Sequence, residues 1–315
     1  MITLSIIIPV YNGAQYIAQT LNSIAEQVNN ESEIIIINDG STDNSLNIIE
    51  DNYKKEINSG FFKVINQTNS GVSVARNNGI KHSVGKYIAF IDADDFILPG
   101  YFNEINTAIN TRSMDVIELG YIPFVENDEV NINKACYCHN SFGLLNSGDV
   151  IKDVFSRSLF YPFLRVIKRS FFDEYQFPVG VKFCEDLILL QNVYRSIRTI
   201  YHIEKPLYAY RLNPNGATGN VKPEYINGML EFYKSLLGKQ DIHVMYLKAN
   251  VFYVIYKVHE NLNLKISLPS NIRKDSLVLL WALLWDKKIT KKRKFIILSP
   301  NLFYMLRKII KGSNQ

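Results

Sequence analysis

The sequence predicts an α/β fold: a doubly wound, mostly parallel sheet with a C-terminal helical extension. Three observations lead there. Short apolar runs of the kind buried on both faces of a parallel sheet recur through the first half of the chain. Helical patterns stand between them, and strands alternating with helices at this spacing make parallel connections. Beyond about residue 221 the pattern becomes helical and aromatic. We therefore expect two parts, residues 1–220 and 221–315.

Leu4 to Val10 reads as the first strand. Pro9 interrupts its apolar run and no basic segment precedes it, so it is expected to be a strand and not a signal peptide. Ala14, Ile17, Leu21 and Ile24 then fall at i, i+3, i+7 and i+10, which gives one apolar helix face. Ile34 to Ile37 is the second strand. Ser41-Thr42-Asp43 is an N-cap cluster for a helix that buries Leu46, Ile49 and Tyr53. Phe61 to Ile65 is the third strand, and Asn69-Ser70-Gly71 is a turn before a short helix through Asn78. Tyr87 to Ile91 is the fourth. After Pro99-Gly100, Tyr101, Phe102, Ile105 and Ile109 mark another helix, and Val116 to Tyr121 another strand.

Composition narrows the class. At 315 residues, 47% hydrophobic and 21% charged, the chain can bury the core of one large domain with an appendage. The net charge of +5 is uneven: residues 287–315 hold nine Lys/Arg and no Asp or Glu, which leaves −4 for the rest. The three cysteines, Cys136, Cys138 and Cys184, have no framework spacing and fit a reducing compartment. Cys136-Tyr137-Cys138-His139 has the form of half a metal site, but the sequence offers no second half. No uncharged stretch approaches the ~18 residues of a membrane-spanning helix.

In doubly wound sheets, ligands bind beyond the carboxyl ends of the strands. Three polar clusters occupy those ends: Tyr11-Asn12-Gly13, Asn38-Asp39-Gly40-Ser41 and Asp92-Ala93-Asp94-Asp95. If strand geometry persists, Asp92 and Asp94 point to one side, and with Asp95 behind them they suit a hard divalent cation, Mg²⁺ or Mn²⁺, carrying phosphate oxygens. An EF-hand is excluded, because Ile97 stands where that loop needs Gly. Asp39 suits a nucleobase ring N–H, or else a turn and helix cap. Arg76 suits a phosphate or a structural ion pair. Glu185-Asp186 opens an apolar helix, where the pair caps the helix dipole or supplies a general base. Tyr208-Ala209-Tyr210-Arg211 precedes a loop, Leu212 to Asn220, that fits a mobile lid.

The ordered segments SIIIPVYNGAQYIAQTLNSI, IIIINDGSTDNS, NSGVSVARNNGI, GKYIAFIDADDFILPGYF and CEDLILLQNVY resemble the family 2 glycosyltransferases of the GT-A fold over about residues 1–220. The resemblance implies inverting transfer of a sugar from a nucleoside diphosphate donor, usually a UDP-sugar. It implies that Pro9, Tyr11, Asp39 and Ser41 line the nucleobase site, and that Asn69, Gly71, Ala75 and Arg76 form the donor-side loop and helix. Asp92 approaches the ribose or the metal, and Asp94 binds the Mn²⁺ or Mg²⁺ that bridges the diphosphate. Asp186 is the catalytic base, Glu185 orients the acceptor, and Arg211 closes over the diphosphate. Two departures stand out: Asn38 replaces a frequent Asp, and Gly216 replaces a loop serine, with Thr218 the nearest hydroxyl.

In the second part, Tyr246, Phe252, Tyr253, Tyr256, Leu262, Leu264, Trp281 and Trp285 are expected mostly as core. The apolar residues from Ile296 to Ile310 alternate with cations, a composition suited to an anionic membrane surface, or to a solvated basic helix or dimer contact. On the membrane reading the acceptor is a glycan on polyprenyl diphosphate. The enzyme would then work in the cytoplasm at the inner face of the cell membrane, assembling a bacterial surface polysaccharide such as O-antigen or capsule. The acidic rim argues against nucleic acid as a partner. A metal-dependent phosphoryl- or nucleotidyl-transfer enzyme is the alternative the strand-Asp-x-Asp pattern allows.

Overall fold

The apolar runs assemble into a nine-stranded mixed sheet in the order β3-β2-β1-β4-β8-β6-β9-β5, with β7 paired to β9. The structure is a computed structural model that describes residues 2–126, 128–214, 216 and 220–312. The parallel part comes first: β1 (Leu4–Val10) lies between β2 (Ser32–Asp39) and β4 (Tyr87–Phe90), and β3 (Phe62–Gln67) flanks β2. Helices α1 (Ile17–Ala25), α2 (Ser45–Asn52), α3 (Lys54–Asn58) and α4 (Val72–His82) make the connections. Strands β1, β2 and β4 are buried on both faces, which is why they read as apolar runs, whereas β3 at the flank is only part-buried. Ile6, Ile8, Ile34 and Ile36 share a core with Ile17, Leu21 and Ile24 of α1, while Ile35 and Ile37 pack with Ala75 of α4.

The expected Ser41-Thr42-Asp43 cap takes a different form. Asn44 stands at the N-cap position of α2 without a side-chain bond, and Asp43 accepts the Ser45 N–H at 3.0 Å. Beyond β4 come β5 (Phe96–Ile97), α5 (Tyr101–Thr111), β6 (Val116–Phe124), β7 (Gly143–Asn146), α6 (Ser147–Arg157), β8 (Arg165–Lys168), α7 (Glu185–Ser196) and β9 (Thr199–Arg211). Strand β8 runs antiparallel between β4 and β6, and β9 is parallel to β6. The stretch Tyr208 to Arg211, expected only to approach a loop, is thus the end of a 13-residue strand. Glu204-Lys205-Pro206 hides it in the sequence. Where Pro206 lies opposite Gly120 the ladder shifts register, the irregularity a strand proline forces because it has no N–H to give.

The chain divides into two compact units: residues 1–150, 160–181 and 185–213, and residues 151–159, 182–184 and 214–315. The second unit carries α8 (Glu224–Ser235), α9 (Ile242–Asn261), α10 (Ser270–Leu283), α11 (Lys291–Leu298) and α12 (Pro300–Gly312). Asp241 caps α9 by accepting the N–H groups of His243 and Val244, and Tyr246, Phe252 and Tyr256 are buried as expected. The same expectation fails for Leu264, Trp281 and Trp285, which are exposed. Among the described residues no helix is long and apolar enough to cross a membrane.

Candidate active site

Strand β4 stops at Phe90, and the Asp95 N–H closes a turn onto the Asp92 carbonyl at 3.1 Å. Strand alternation therefore does not set the directions of Asp92 and Asp94; the turn does. Five hydrogen bonds and a strand pairing pin it. Thr20 Oγ1 donates toward the carbonyls of Ala93 (2.9 Å) and Asp95 (2.6 Å). The Tyr208 hydroxyl accepts the Asp92 N–H (3.1 Å) and donates to Asp95 Oδ2 (2.8 Å). The Arg211 N–H donates to Asp95 Oδ1 at 2.7 Å, and β5 pairs antiparallel with β9 directly after the turn. Asp95 is buried, and burial, then the charges of Asp92 and Asp94, raise its proton affinity well above that of an ordinary carboxylate. It anchors β9 and does not back a cation pair.

Two sequence-distant acids meet at Arg76. Its Nη2 bonds Asp92 Oδ1 at 2.9 Å and its Nη1 bonds Glu185 Oε1 at 2.8 Å, with the guanidinium 5.1 Å over the Phe177 ring. Burial opposes this charge, but Asp92, Glu185 and Asp186 more than offset it and hold the group protonated. Asp186, half-buried in the first turn of α7, accepts the Leu187 N–H at 2.7 Å. Burial first, then Glu185, push its carboxyl up to about 7 despite Arg76. A carboxyl poised there exchanges protons near neutrality, as a general base must.

Asp94 accepts from Asn213 Nδ2 at 3.3 Å, and burial followed by the charge of Asp92 raises its proton affinity. That like-charge conflict is what a hard divalent cation relieves, so Asp92 and Asp94 fit Mg²⁺ or Mn²⁺.

The other two clusters do reach this rim. Gly13 lies so close to Ala93 that a Cβ on it would stand 3.6 Å from the alanine Cβ. Asn12, left-handed at φ 51°, accepts the Thr42 N–H at 2.8 Å and donates its own N–H to Ser41 Oγ at 3.1 Å. Gly40 is left-handed at φ 67°, and a Cβ there would approach the Asn69 nitrogen to 2.7 Å, so this close passage requires glycine. Asp39 spends its carboxylate on Gln67 Nε2, the Ser70 N–H and the Gly71 N–H, all at 2.8 Å. It organises the loop before α4, with at most one lone pair left for a ring N–H. Pro9 is half-buried in β1 and Tyr11 is exposed at its end. Ala75 lies on α4 with its side chain buried against Ile35 and Ile37.

Arg211 is buried, not extended toward an open loop. Its Nε bonds the Asp94 carbonyl at 2.6 Å, its Nη atoms bond Glu126 and Gln19, and the guanidinium lies 4.5 Å from the centre of the Tyr16 ring and 4.6 Å from that of Phe124. Gln19, Glu126 and Tyr208 are contacts that sequence patterning did not single out, although Gln19 lies in the first family-like segment and Tyr208 stands three residues before Arg211. Thr218, the hydroxyl weighed for the lid, lies outside the described residues.

Elsewhere in the same unit, His139 finds the partners its motif lacked. Glu118, His139 and His202, all buried, bring one possible ligand atom each within 4.8 Å of the others, a group able in composition to hold a metal ion. Its carboxylate is already shared: His139 Nε2 bonds Glu118 Oε2 at 2.6 Å, Tyr194 donates to Oε1, and Arg165 stands 3.9 Å away. Burial opposes ionisation, but His139 and then Arg165 lower the Glu118 carboxyl to about 2, so it is an anion neutralised from within the protein.

Residues 5–175 match the family described as glycosyl transferase family 2. The uncharacterized glycosyltransferase EpsJ of Bacillus subtilis is 28% identical over 217 residues, 68% of this chain and 62% of that protein. Glycosyltransferase GlyA of Streptococcus pneumoniae is 30% identical over 217 residues, 66% of this chain and 30% of that protein. The match thus spans less than two thirds of either relative. Among solved structures, S. aureus TarS 1–349 in complex with UDP-GlcNAc superposes with a TM-score of 0.66 at 19% identity, covering 99% of this chain and 92% of that one. Mannosyltransferase PcManGT from Pyrobaculum calidifontis, in complex with GDP-Man and Mn²⁺, gives 0.56 at 12% identity, covering 97% and 87%. At these identities the likeness is one of fold, and the expected GT-A fold with a helical C-terminal part is borne out.

Proposed function

This chain belongs to glycosyl transferase family 2, and on that premise we propose that it moves a sugar from a UDP-sugar to a hydroxyl of a lipid-linked glycan, with inversion. The observation that carries the reading is Arg76 joining Asp92, in the turn beyond β4, to Glu185 at the head of α7. Through that bridge the acids suited to the donor's cation and the carboxyl poised near neutrality share one site. A UDP-sugar donor is in keeping with the UDP-GlcNAc bound by TarS.

The steps assigned to this chain are few. Asp186 takes the proton of the acceptor hydroxyl as its oxygen bonds the anomeric carbon from the face opposite the departing UDP. The carbon–oxygen bond to UDP breaks and configuration inverts. Glu185, held by Arg76, orients the acceptor and keeps the Asp186 carboxyl basic. Asp94 and Asp92 would hold Mn²⁺ or Mg²⁺, which when bound stabilises the negative charge gathering on the diphosphate. We assign these steps to residues 1–220 and assign residues 221–315 to acceptor and membrane contact, with the exposed Lys308 of α12 facing the headgroups that carry a polyprenyl diphosphate acceptor. The place of work is then the cytoplasmic face of the membrane, in assembly of a surface polysaccharide. Family membership favours glycosyl over phosphoryl transfer, the alternative read from the Asp92-Ala93-Asp94 pattern.

A screen of nucleoside diphosphate sugars for hydrolysis, with and without Mn²⁺, tests the donor, the sugar and the ion together. Release of UDP from at least one UDP-sugar, dependent on the ion, is the expected result. Free phosphate without a nucleotide requirement would return the reading to phosphoryl transfer.

A further inference from the structure

Helix α10 turns an aromatic face outward. Ile272, Ser276, Leu279 and Leu283 are buried along one side, while Leu277, Val278 and Trp281 are exposed on the other. Trp281 is 77% exposed, and Trp285, two residues past the helix end, is 89% exposed. They are the only two tryptophans in the chain. Large indoles kept in water at neighbouring positions mark an interaction surface more than a packing residue does.

Charge decides the occupant. Lys274 is exposed one turn before Leu277 and Val278, and Lys287 and Lys291 are exposed just beyond Trp285. Residues 287–300 hold six Lys/Arg and no acid. The nearby acids are engaged: Asp275 accepts from Tyr233 and from Lys248 at 2.9 Å, Asp286 accepts from the Tyr246 hydroxyl and the Lys288 N–H, and Asp153 pairs with the Lys288 ammonium. A two-fold contact with a second copy through this face would set lysine against lysine. Indoles settle in the headgroup layer of a bilayer, and surrounding lysines complement anionic headgroups.

We propose that the Trp281–Trp285 face at the end of α10, flanked along the chain by the exposed Lys274, Lys287 and Lys291, docks on an anionic lipid bilayer. It is a contact distinct from α12 and needs no donor. It deepens the lipid-linked reading of the acceptor but rests on the helical unit alone.

The intact protein supplies its own probe, since all tryptophan emission comes from this face. Vesicles of phosphatidylcholine with phosphatidylglycerol should move that emission to shorter wavelength and shield it from acrylamide. Phosphatidylcholine alone should do so weakly, and added salt should reverse the effect. Trp281→Ser with Trp285→Ser should weaken co-sedimentation with the anionic vesicles roughly tenfold or more while leaving UDP-sugar hydrolysis unchanged. Three results would overturn the proposal: emission indifferent to anionic vesicles; a blue shift that follows protein concentration without lipid, which assigns the face to a second copy; or undiminished sedimentation of the double variant, which moves the contact to α12. Vesicle binding intact with no sugar-nucleotide hydrolysis would instead sink the transferase reading and leave this one standing.

Discussion

In the proposed reaction Asp186 and Arg76 carry the site between them. A base works only as the carboxylate, so with its carboxyl near 7 the kcat/KM should fall about tenfold per pH unit below neutrality and level off above it, in a pH–rate profile of the purified protein. Asp186→Asn should lower turnover by roughly 10²- to 10⁴-fold and leave UDP affinity by calorimetry nearly unchanged. A variant that kept a tenth of the rate would remove Asp186 from the role. Arg76→Ala has a different signature: it strands two largely desolvated carboxylates and should cost about 3 kcal/mol in denaturant unfolding as well as activity. Arg76→Lys should recover part of the stability but little of the rate, because one ammonium cannot serve both acids in a fixed fork. The motifs named both residues from the sequence alone. What they left open was which role Arg76 fills in this state, because its partners lie 16 and 109 positions away and only folding brings them together.

At the level of elements, the turn beyond β4 depends on β9. Tyr208→Phe removes an acceptor from the Asp92 N–H and a donor from Asp95 in one change, leaving buried groups unpaired. It should cost about 1–3 kcal/mol of stability by urea unfolding and weaken Mn²⁺ binding measured by calorimetry. Arg211 lies on the same strand and is stowed between two rings, Gln19 and Glu126, so a diphosphate that recruits it must first draw it out. The parallel strands β1, β2 and β4 were legible because burial on both faces writes them as apolar runs. Strands β7, β8 and β9 were not. Two are four residues long, too short for periodicity, and the third carries Glu, Lys and Pro at a bulge.

For the whole molecule, the buried Glu118, His139 and His202 network sets a response to acid. Burial, only partly offset by Glu118, lowers the His202 imidazole to about 4, so the folded protein holds it neutral while the unfolded chain takes up a proton below about 6.5. Its contribution is therefore complete above 6.5 and is lost as pH falls toward 4, a decline of ~3 kcal/mol. Unfolding free energies measured across that range should show the slope, and His202→Gln should flatten it. Sequence spacing could not reveal this network, since its members lie on β6, the segment before β7, and β9. The same strand has a consequence for biosynthesis. β9 sits inside the sheet, yet it is the last strand the ribosome delivers, more than a hundred residues after the acids it pins. Asp92 to Asp95 must wait, loosely held, through most of translation of the first unit. A nascent chain stalled before residue 199 would carry β1 to β4 and still lack the contacts that pin Asp92 to Asp95.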